Sequence, residues 1–213
     1  MGNRAEFLEA LRANEPPFAV DLDDAARSRL ADYYESVMEQ NELLHLVGPS
    51  TPETFATRHI LESLTLLKHL PNGARLIDVG AGAGLPSLPC LLVREDLSAV
   101  LIESKIKKAA FLTEITERLG LTGRASVIDR QFEEARPAHN YGFVTVRALD
   151  RFQQKLPKLI KWAKNKELLL FGGPGLAEQF KKLRLAYTEE LMPLSNQRFL
   201  YIVPAAQLAG KKE

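Results

Sequence analysis

The chain has 213 residues, 46% of them apolar and 26% charged, with a formal net charge of +1. These proportions exclude disordered, collagen-like and disulfide-scaffold proteins, and they supply enough apolar material for one core with a helical appendage. Cys90 is the one cysteine, so no disulfide can form within the chain and a cysteine-rich metal site is excluded.

No run approaches the roughly 20 apolar residues of a membrane span. The first ten residues, MGNRAEFLEA, carry charges where a signal peptide needs an apolar run. A cytoplasmic protein with no membrane association is expected. The charge is unevenly spread: residues 1–50 are net −6, residues 51–150 are neutral and residues 151–213 are net +7. A basic last third points to a polyanionic partner, although lysines on solvated helix faces give the same composition.

In chain order, the spacing predicts a helix from Asp21 to about Glu39, with Leu30, Tyr33, Tyr34 and Val37 at i, i+3, i+4 and i+7. A second helix is predicted from Thr51-Pro52 to Leu70, ended by Pro71-Asn72-Gly73. Residues 1–70 thus read as a helical segment packed on an α/β domain of residues 71–213. From Gly73 the pattern changes to short apolar runs, ARLIDVG, SAVLIE, ASVID, FVTVRA and ELLLFGG, separated by helical stretches such as Lys105 to Leu119. Strands with so little polar alternation signal a parallel sheet covered on both faces. YTEELMPL and QRFLYIV follow without a helix between them, which predicts a terminal antiparallel hairpin.

In such a sheet, ligands bind at the carboxyl ends of the strands. The first strand runs into Asp78-Val79-Gly80-Ala81-Gly82-Ala83-Gly84-Leu85-Pro86, a loop whose alternating glycines let a ligand lie against bare backbone. No Gly-Lys-Ser/Thr follows, and Leu85 stands where a dinucleotide fingerprint needs its third glycine. Glu103 closes the next strand at the distance where a carboxylate can accept from ribose hydroxyls. A glycine loop with a ribose carboxylate and no phosphate grip suits an adenosine ligand without phosphate. Arg147, in a mostly apolar strand, would bury its guanidinium without reason unless it meets an anion at the strand end.

The Asp-x-Gly-x-Gly-x-Gly loop resembles that of class I S-adenosylmethionine-dependent methyltransferases. More narrowly, Arg58-His59-Ile60-Leu61-Glu62-Ser63-Leu64, the loop with its Leu85-Pro86 extension, Leu101-Ile102-Glu103-Ser104, Lys107-Lys108, Phe111-Leu112 and Val146-Arg147-Ala148 are similar to the bacterial 16S ribosomal RNA guanine-N7 methyltransferases, RsmG or GidB, over residues 25–203. The resemblance implies a Rossmann-like, seven-stranded, mostly parallel sheet with an antiparallel terminal hairpin and an N-terminal helical extension. It implies S-adenosylmethionine held by Asp78, Gly80, Ala81, Gly82, Gly84, Leu85, Glu103 and Arg147, with Phe132 and Glu133 near the adenine. Phe132 also reads as plain core and Glu133 as a solvated turn.

The implied partner is 16S ribosomal RNA or the small ribosomal subunit, met by a monomer without a metal. His59, Lys181, Lys182 and Arg198 are the candidate RNA contacts; Lys155, Lys158, Lys161, Lys164 and Arg184 belong to the same basic third. Departures from the family pattern fall at His45-Leu46-Val47, Ser87-Leu88-Pro89 and Phe171, and Glu replaces Asp at 62 and 103. Guanine N7 carries a lone pair and no proton, so no catalytic acid or base is assigned. Two alternatives stay open: a methyltransferase with a protein or small-molecule acceptor, and a catalytically silent ribosome-binding protein of the same fold.

Overall fold

A computed structural model describes residues 3–136, 140–147 and 152–208. Its centre is a seven-stranded sheet in the order β3-β2-β1-β4-β5-β7-β6. The strands are β1 Arg75–Val79, β2 Ser98–Ile102, β3 Ala125–Ile128, β4 Phe143–Val146, β5 Glu167–Gly172, β6 Thr188–Leu191 and β7 Phe199–Val203. β1 to β5 run parallel, while β7 is antiparallel to both β5 and β6. The terminal hairpin is therefore as expected, and the strand order reverses beside β1, between β2 and β4. That reversal opens a crevice at the carboxyl ends of β1 and β4.

Alternation along the strands sends side chains to two apolar layers. Ile77, Val79, Val100, Ile102, Val144, Leu168 and Leu170 face one layer, closed by Leu156, Leu159 and Ile160 of α7 (Phe152–Trp162) and by Leu176 and Phe180 of α8 (Pro174–Lys182). Leu76, Leu101 and Leu169 face the other, closed by α5 (Ser87–Val93), α6 (Ile106–Arg118) and the N-terminal helices. Both faces are covered, which is why the strands carry so few polar residues.

The N-terminal helices are α1 Arg4–Phe18, α2 Asp24–Leu44 and a helical run over residues 52–69. α2 starts where the Asp23 side chain accepts from the Ala26 amide at 2.6 Å, and it buries Leu30, Tyr33, Tyr34 and Val37. It runs five residues past the expected end, to Leu44. α1 has no counterpart among the sequence expectations; it carries Pro16 and Pro17 in its last turn and buries Phe7, Leu11 and Phe18. Phe7 stacks on Tyr34 at 4.5 Å, Tyr34 meets the edge of Phe55 at 5.0 Å, and Phe55 meets His59 at 5.1 Å. This chain of rings, each contact worth about 0.5–1.5 kcal/mol beyond its burial, fixes α1 and α2 against the third helical run.

That third run has the expected extent but not a uniform geometry. It passes from α3 (Pro52–Thr54) through a π-helical stretch, Phe55–Leu61, to α4 (Glu62–Leu64) and a 3₁₀ turn, Thr65–His69. In the π stretch the Glu62 amide donates to Thr57, five residues back. Such insertions are frequent at functional sites, and this one carries Arg58 and His59. No helix among the described residues is long and apolar enough to cross a membrane.

Candidate functional site

The loop after β1 turns through left-handed glycines, with φ of 71° at Gly80, 57° at Gly82 and 92° at Gly84. The amides of Gly80 and Ala81 both donate to the Ile102 carbonyl, at 2.8 and 3.1 Å, which ties the turn to the end of β2. Gly84 is required by packing, because a Cβ there would lie 2.3 Å from Leu88 Cδ1. Gly82 faces open space, where an added Cβ would meet only the Gly80 carbonyl at 3.8 Å. A second support comes from α2: the Tyr33 hydroxyl, fully buried, donates to the Ala83 carbonyl at 3.0 Å.

Asp78 lies beneath this turn. Its Oδ2 accepts from the Ser87 amide at 3.2 Å, while Oδ1 is buried without a partner. Burial pushes its carboxyl up to about 7, with Ser87 opposing and nearby Glu103 adding to the rise. Asp78 and Gly84 therefore hold the loop in shape and do not line a surface. The opposite wall is Glu103, whose Oε2 accepts from the Gly82 amide at 3.0 Å and whose Oε1 accepts from the Lys105 amide at 2.8 Å. Each oxygen retains a lone pair for a further donor.

Between these walls lies a cleft of about 250 Å³. Gly80, Ala81, Gly82, Leu85, Glu103, Arg147 and His59 all line it, so seven of the residues singled out from the sequence converge. Phe132 lines a small pocket adjoining it, with Gly80, Ile102 and Ser104. Phe132 is also buried and meets Trp162 edge-on at 5.6 Å, so it packs in the core as well. Glu133 lines neither space; its Oε2 is buried without a partner.

Arg147 emerges from the end of β4 at the base of the cleft. One of its terminal nitrogens, Nη2, donates to the Arg58 carbonyl and to Glu62 Oε2, the latter at 3.1 Å. Its guanidinium lies 5.2 Å from the centre of the Phe171 ring, a cation–π contact made by one of the residues that depart from the family pattern. Nη1 is buried and has no partner. Burial pulls this guanidinium below its usual range while Glu62 opposes the shift. Glu62, 2% exposed, also accepts from Arg198 Nε at 2.6 Å. Arg198 is thus engaged in an ion pair at the cleft edge of the sheet.

His59 donates to or accepts from Ser50 Oγ across 3.3 Å, and its Nδ1 is buried without a partner. Burial first, then the charges of Arg147, Arg58 and Arg198, press its pKa to about 3, so the ring is neutral at any physiological pH.

Lys181 and Lys182 are not brought to this site. α8, capped at Gly173 just past the end of β5, carries them in its last turn, away from the cleft lining. Lys155, in the first turns of α7, does reach the cleft, as do Lys105 and Lys108. Leu46, Val47 and Gly48 supply a further wall, which places part of the divergent 45–47 tract at the mouth. His139 lies outside the described residues. Among those described, no group of three or more His, Cys, Asp or Glu is arranged to hold a metal. Cys90 is fully buried, and its thiol donates to the Ser63 carbonyl at 3.3 Å.

Sequence reasoning missed Tyr33, Glu62 as a shared acceptor, Phe171 as a ring beneath Arg147, and Ser104. Glu62 was within reach, because it stands in the Arg58 to Leu64 motif.

Residues 26–197 match the family model described as rRNA small subunit methyltransferase G. The chain belongs to this family. It is 33% identical over 210 residues to a ribosomal RNA small subunit methyltransferase G of Sorangium cellulosum, covering 96% of this chain and 84% of that one. The counterpart from Nitrosomonas eutropha is 36% identical over 130 residues, and there the match covers 60% of each chain. The fold is also similar to that of TrmK from M. capricolum, solved with S-adenosyl-homocysteine, with a TM-score of 0.54 at 16% identity over 71% of this chain and 70% of that one. The order of the seven strands and the terminal hairpin are those of the class I methyltransferase architecture expected above.

Proposed function

We propose that this member of the family transfers the methyl group of S-adenosylmethionine to N7 of a guanine in 16S ribosomal RNA, in the cytoplasm. The observation that carries the reading is the pairing of Gly82 with Glu103 across the cleft: bare left-handed backbone on one side and a carboxylate with spare lone pairs on the other. Nothing in the glycine turn grips a phosphate, and Glu103 would repel one.

The site fits the cofactor in three further respects. Gly82 opens onto free space, Leu85 provides an apolar wall, and the unpartnered Nη1 of Arg147 is an available donor for a carboxylate. S-adenosylmethionine would supply an electrophilic methyl group on a sulfonium. Gly80, Ala81 and Gly82 would hold it through backbone, Glu103 through its ribose, Phe132 on the adenine side, and Arg147 through its carboxylate.

The acceptor nitrogen has no proton to lose, so the chain need only hold the base in line and at near-attack distance, which can lower a barrier by about 7–11 kcal/mol at best. Neutral His59 suits this, because a cation there would oppose the positive charge that develops on the purine. N7 lies in the deep, narrow groove of A-form RNA, so the base must be unpaired or extruded. The helical segment 1–70 acts as a fixed support, through Tyr33 on the loop and Glu62 on Arg147, for the α/β unit 71–213. An apolar small-molecule acceptor is disfavoured because Lys105, Lys108, Lys155 and Arg147 line the cleft.

Calorimetric titration with S-adenosylmethionine tests the site. Glu103→Ala, which removes two charged hydrogen bonds to a ribose, should weaken binding roughly 10- to 100-fold while the circular dichroism spectrum is kept. Unchanged affinity would remove Glu103, and with it the adenosine reading, from the account.

A further inference from the structure

We infer that Arg198 and Glu62 are positioning residues for the carboxylate of the cofactor: with Arg147 they form a row of alternating charge that ends in the cleft and is completed by an incoming α-carboxylate. This role rests on the function proposed above and deepens it at the amino-acid end of the cofactor. It also takes Arg198 away from the RNA contacts expected from the sequence.

The three side chains are joined in order. Arg198 Nε donates to Glu62 Oε1 at 2.6 Å, and Glu62 Oε2 accepts from Arg147 Nη2 at 3.1 Å. Arg147 lines the cleft, and its other terminal nitrogen, Nη1, is buried without a partner. A buried charged donor with no acceptor is costly, so Nη1 is the atom on which an incoming anion gains most.

Charge decides what Arg198 contributes. Arg147 and Glu62 by themselves cancel, and a carboxylate approaching a neutral buried pair loses its hydration for little attraction. Arg198 restores one net positive charge to the group. The carboxylate of the ligand then makes the fourth member of a row that reads plus, minus, plus, minus. The other acids nearby are tied elsewhere: Asp78 accepts from the Ser87 amide, and Glu103 from the amides of Gly82 and Lys105. Arg58 adds its guanidinium only from an exposed position, where solvent and salt screen it.

The hairpin turn aims Arg198 at this place. Its amide donates to Ser195 Oγ at 3.0 Å, and its carbonyl accepts from the Met192 amide at 2.8 Å. The hairpin does not depend on the Glu62 ion pair alone, because Glu190 of β6 accepts from Lys68 Nζ at 2.8 Å and meets His69 Nε2 at 3.1 Å. Losing the Arg198 side chain therefore leaves the hairpin fastened to residues 65–69.

Calorimetry with two ligands tests this role. S-adenosyl-homocysteine carries the α-carboxylate, whereas methylthioadenosine shares the adenosine and the sulfur but lacks the amino-acid end. Arg198→Gln should bind S-adenosyl-homocysteine about tenfold more weakly, and methylthioadenosine within about twofold of the unaltered protein. Glu62→Gln/Arg198→Gln removes one charge of each sign and leaves Arg147 its own. That double variant should recover S-adenosyl-homocysteine affinity to within about threefold of the unaltered protein, a recovery that a merely structural role would not give.

Unchanged S-adenosyl-homocysteine affinity in Arg198→Gln overturns the assignment. So does an equal loss for both ligands, which would mean that the cleft itself had moved. A double variant that binds no better than Arg198→Gln overturns it as well, since charge would not be the cause. If Arg198→Gln flattens the plot of log K against log[salt] for a single-stranded oligoribonucleotide by about 0.7 and keeps its S-adenosyl-homocysteine affinity, Arg198 is an RNA contact and the role proposed here is wrong. Where Arg198→Gln does not fold, the double variant carries the test, and a loss of about tenfold confined to S-adenosyl-homocysteine is the contrary result. Failure of the unaltered protein to bind either ligand refutes the methyltransferase reading and this role with it, whereas binding of both that no variant alters refutes this role alone.

Discussion

Arg198, immediately before β7, donates from Nε to Oε1 of Glu62 at 2.6 Å, across 136 positions of sequence. The other oxygen of the same carboxylate receives Arg147. One buried acid thus fastens the terminal hairpin, the π-helical stretch and the end of β4 to one another at the base of the cleft.

Removing that acid leaves Arg147 buried with its main counter-charge gone. Glu62→Gln, which keeps the side chain's shape, should lower stability by about 3 kcal/mol, read from urea unfolding curves. A loss under about 1 kcal/mol would mean that solvent, and not Glu62, compensates the two guanidinium groups.

The glycines of the loop should separate packing from binding. Gly84→Ala drives a Cβ to 2.3 Å from Leu88 Cδ1 at a φ of +92°, so it should destabilise the fold by about 1–3 kcal/mol. Gly82→Val meets open space. It should unfold only modestly earlier, by about 1–2 kcal/mol for the left-handed backbone, yet bind S-adenosylmethionine at least tenfold more weakly. Normal cofactor affinity in Gly82→Val would sink the assignment of the loop.

The strands were legible because each is buried on both faces, and the Asp78 to Pro86 turn because alternating glycines have few other uses. Arg147 stood out as a charge in an apolar strand. α1 escaped notice because Phe7, Leu11 and Phe18 are sparse and two prolines follow, while the π stretch is silent since Phe55, Ile60 and Leu61 satisfy an ordinary helical pattern equally well. The place of Lys181 and Lys182 was not legible for a different reason. Composition locates their charge in the chain, but only the fold decides whether the last turn of α8 lines the cleft.

The depressed pKa of His59 gives a dependence on pH with a definite sign. With the folded value near 3 and an unfolded value of about 6.5, the unfolded chain binds more protons between those limits. This residue's contribution to stability therefore rises with pH across that window, is complete above it, and is lost as pH falls through it. Replacing it by Phe should flatten the rise between pH 4 and 6.5 (both rough bounds from the same window). In NMR spectra the His59 ring of the unaltered protein should show no titration near neutrality, and a midpoint near 6.5 would contradict the burial described.

The most direct measurement is transfer of radiolabelled methyl from S-adenosylmethionine to small ribosomal subunits that lack the modification, followed by borohydride and aniline cleavage, which breaks RNA at N7-methylguanine. The account predicts label in 16S RNA and cleavage at a single guanine. Label without cleavage would contradict the N7 acceptor, and bound cofactor with no label on subunits or naked RNA would contradict the RNA substrate itself.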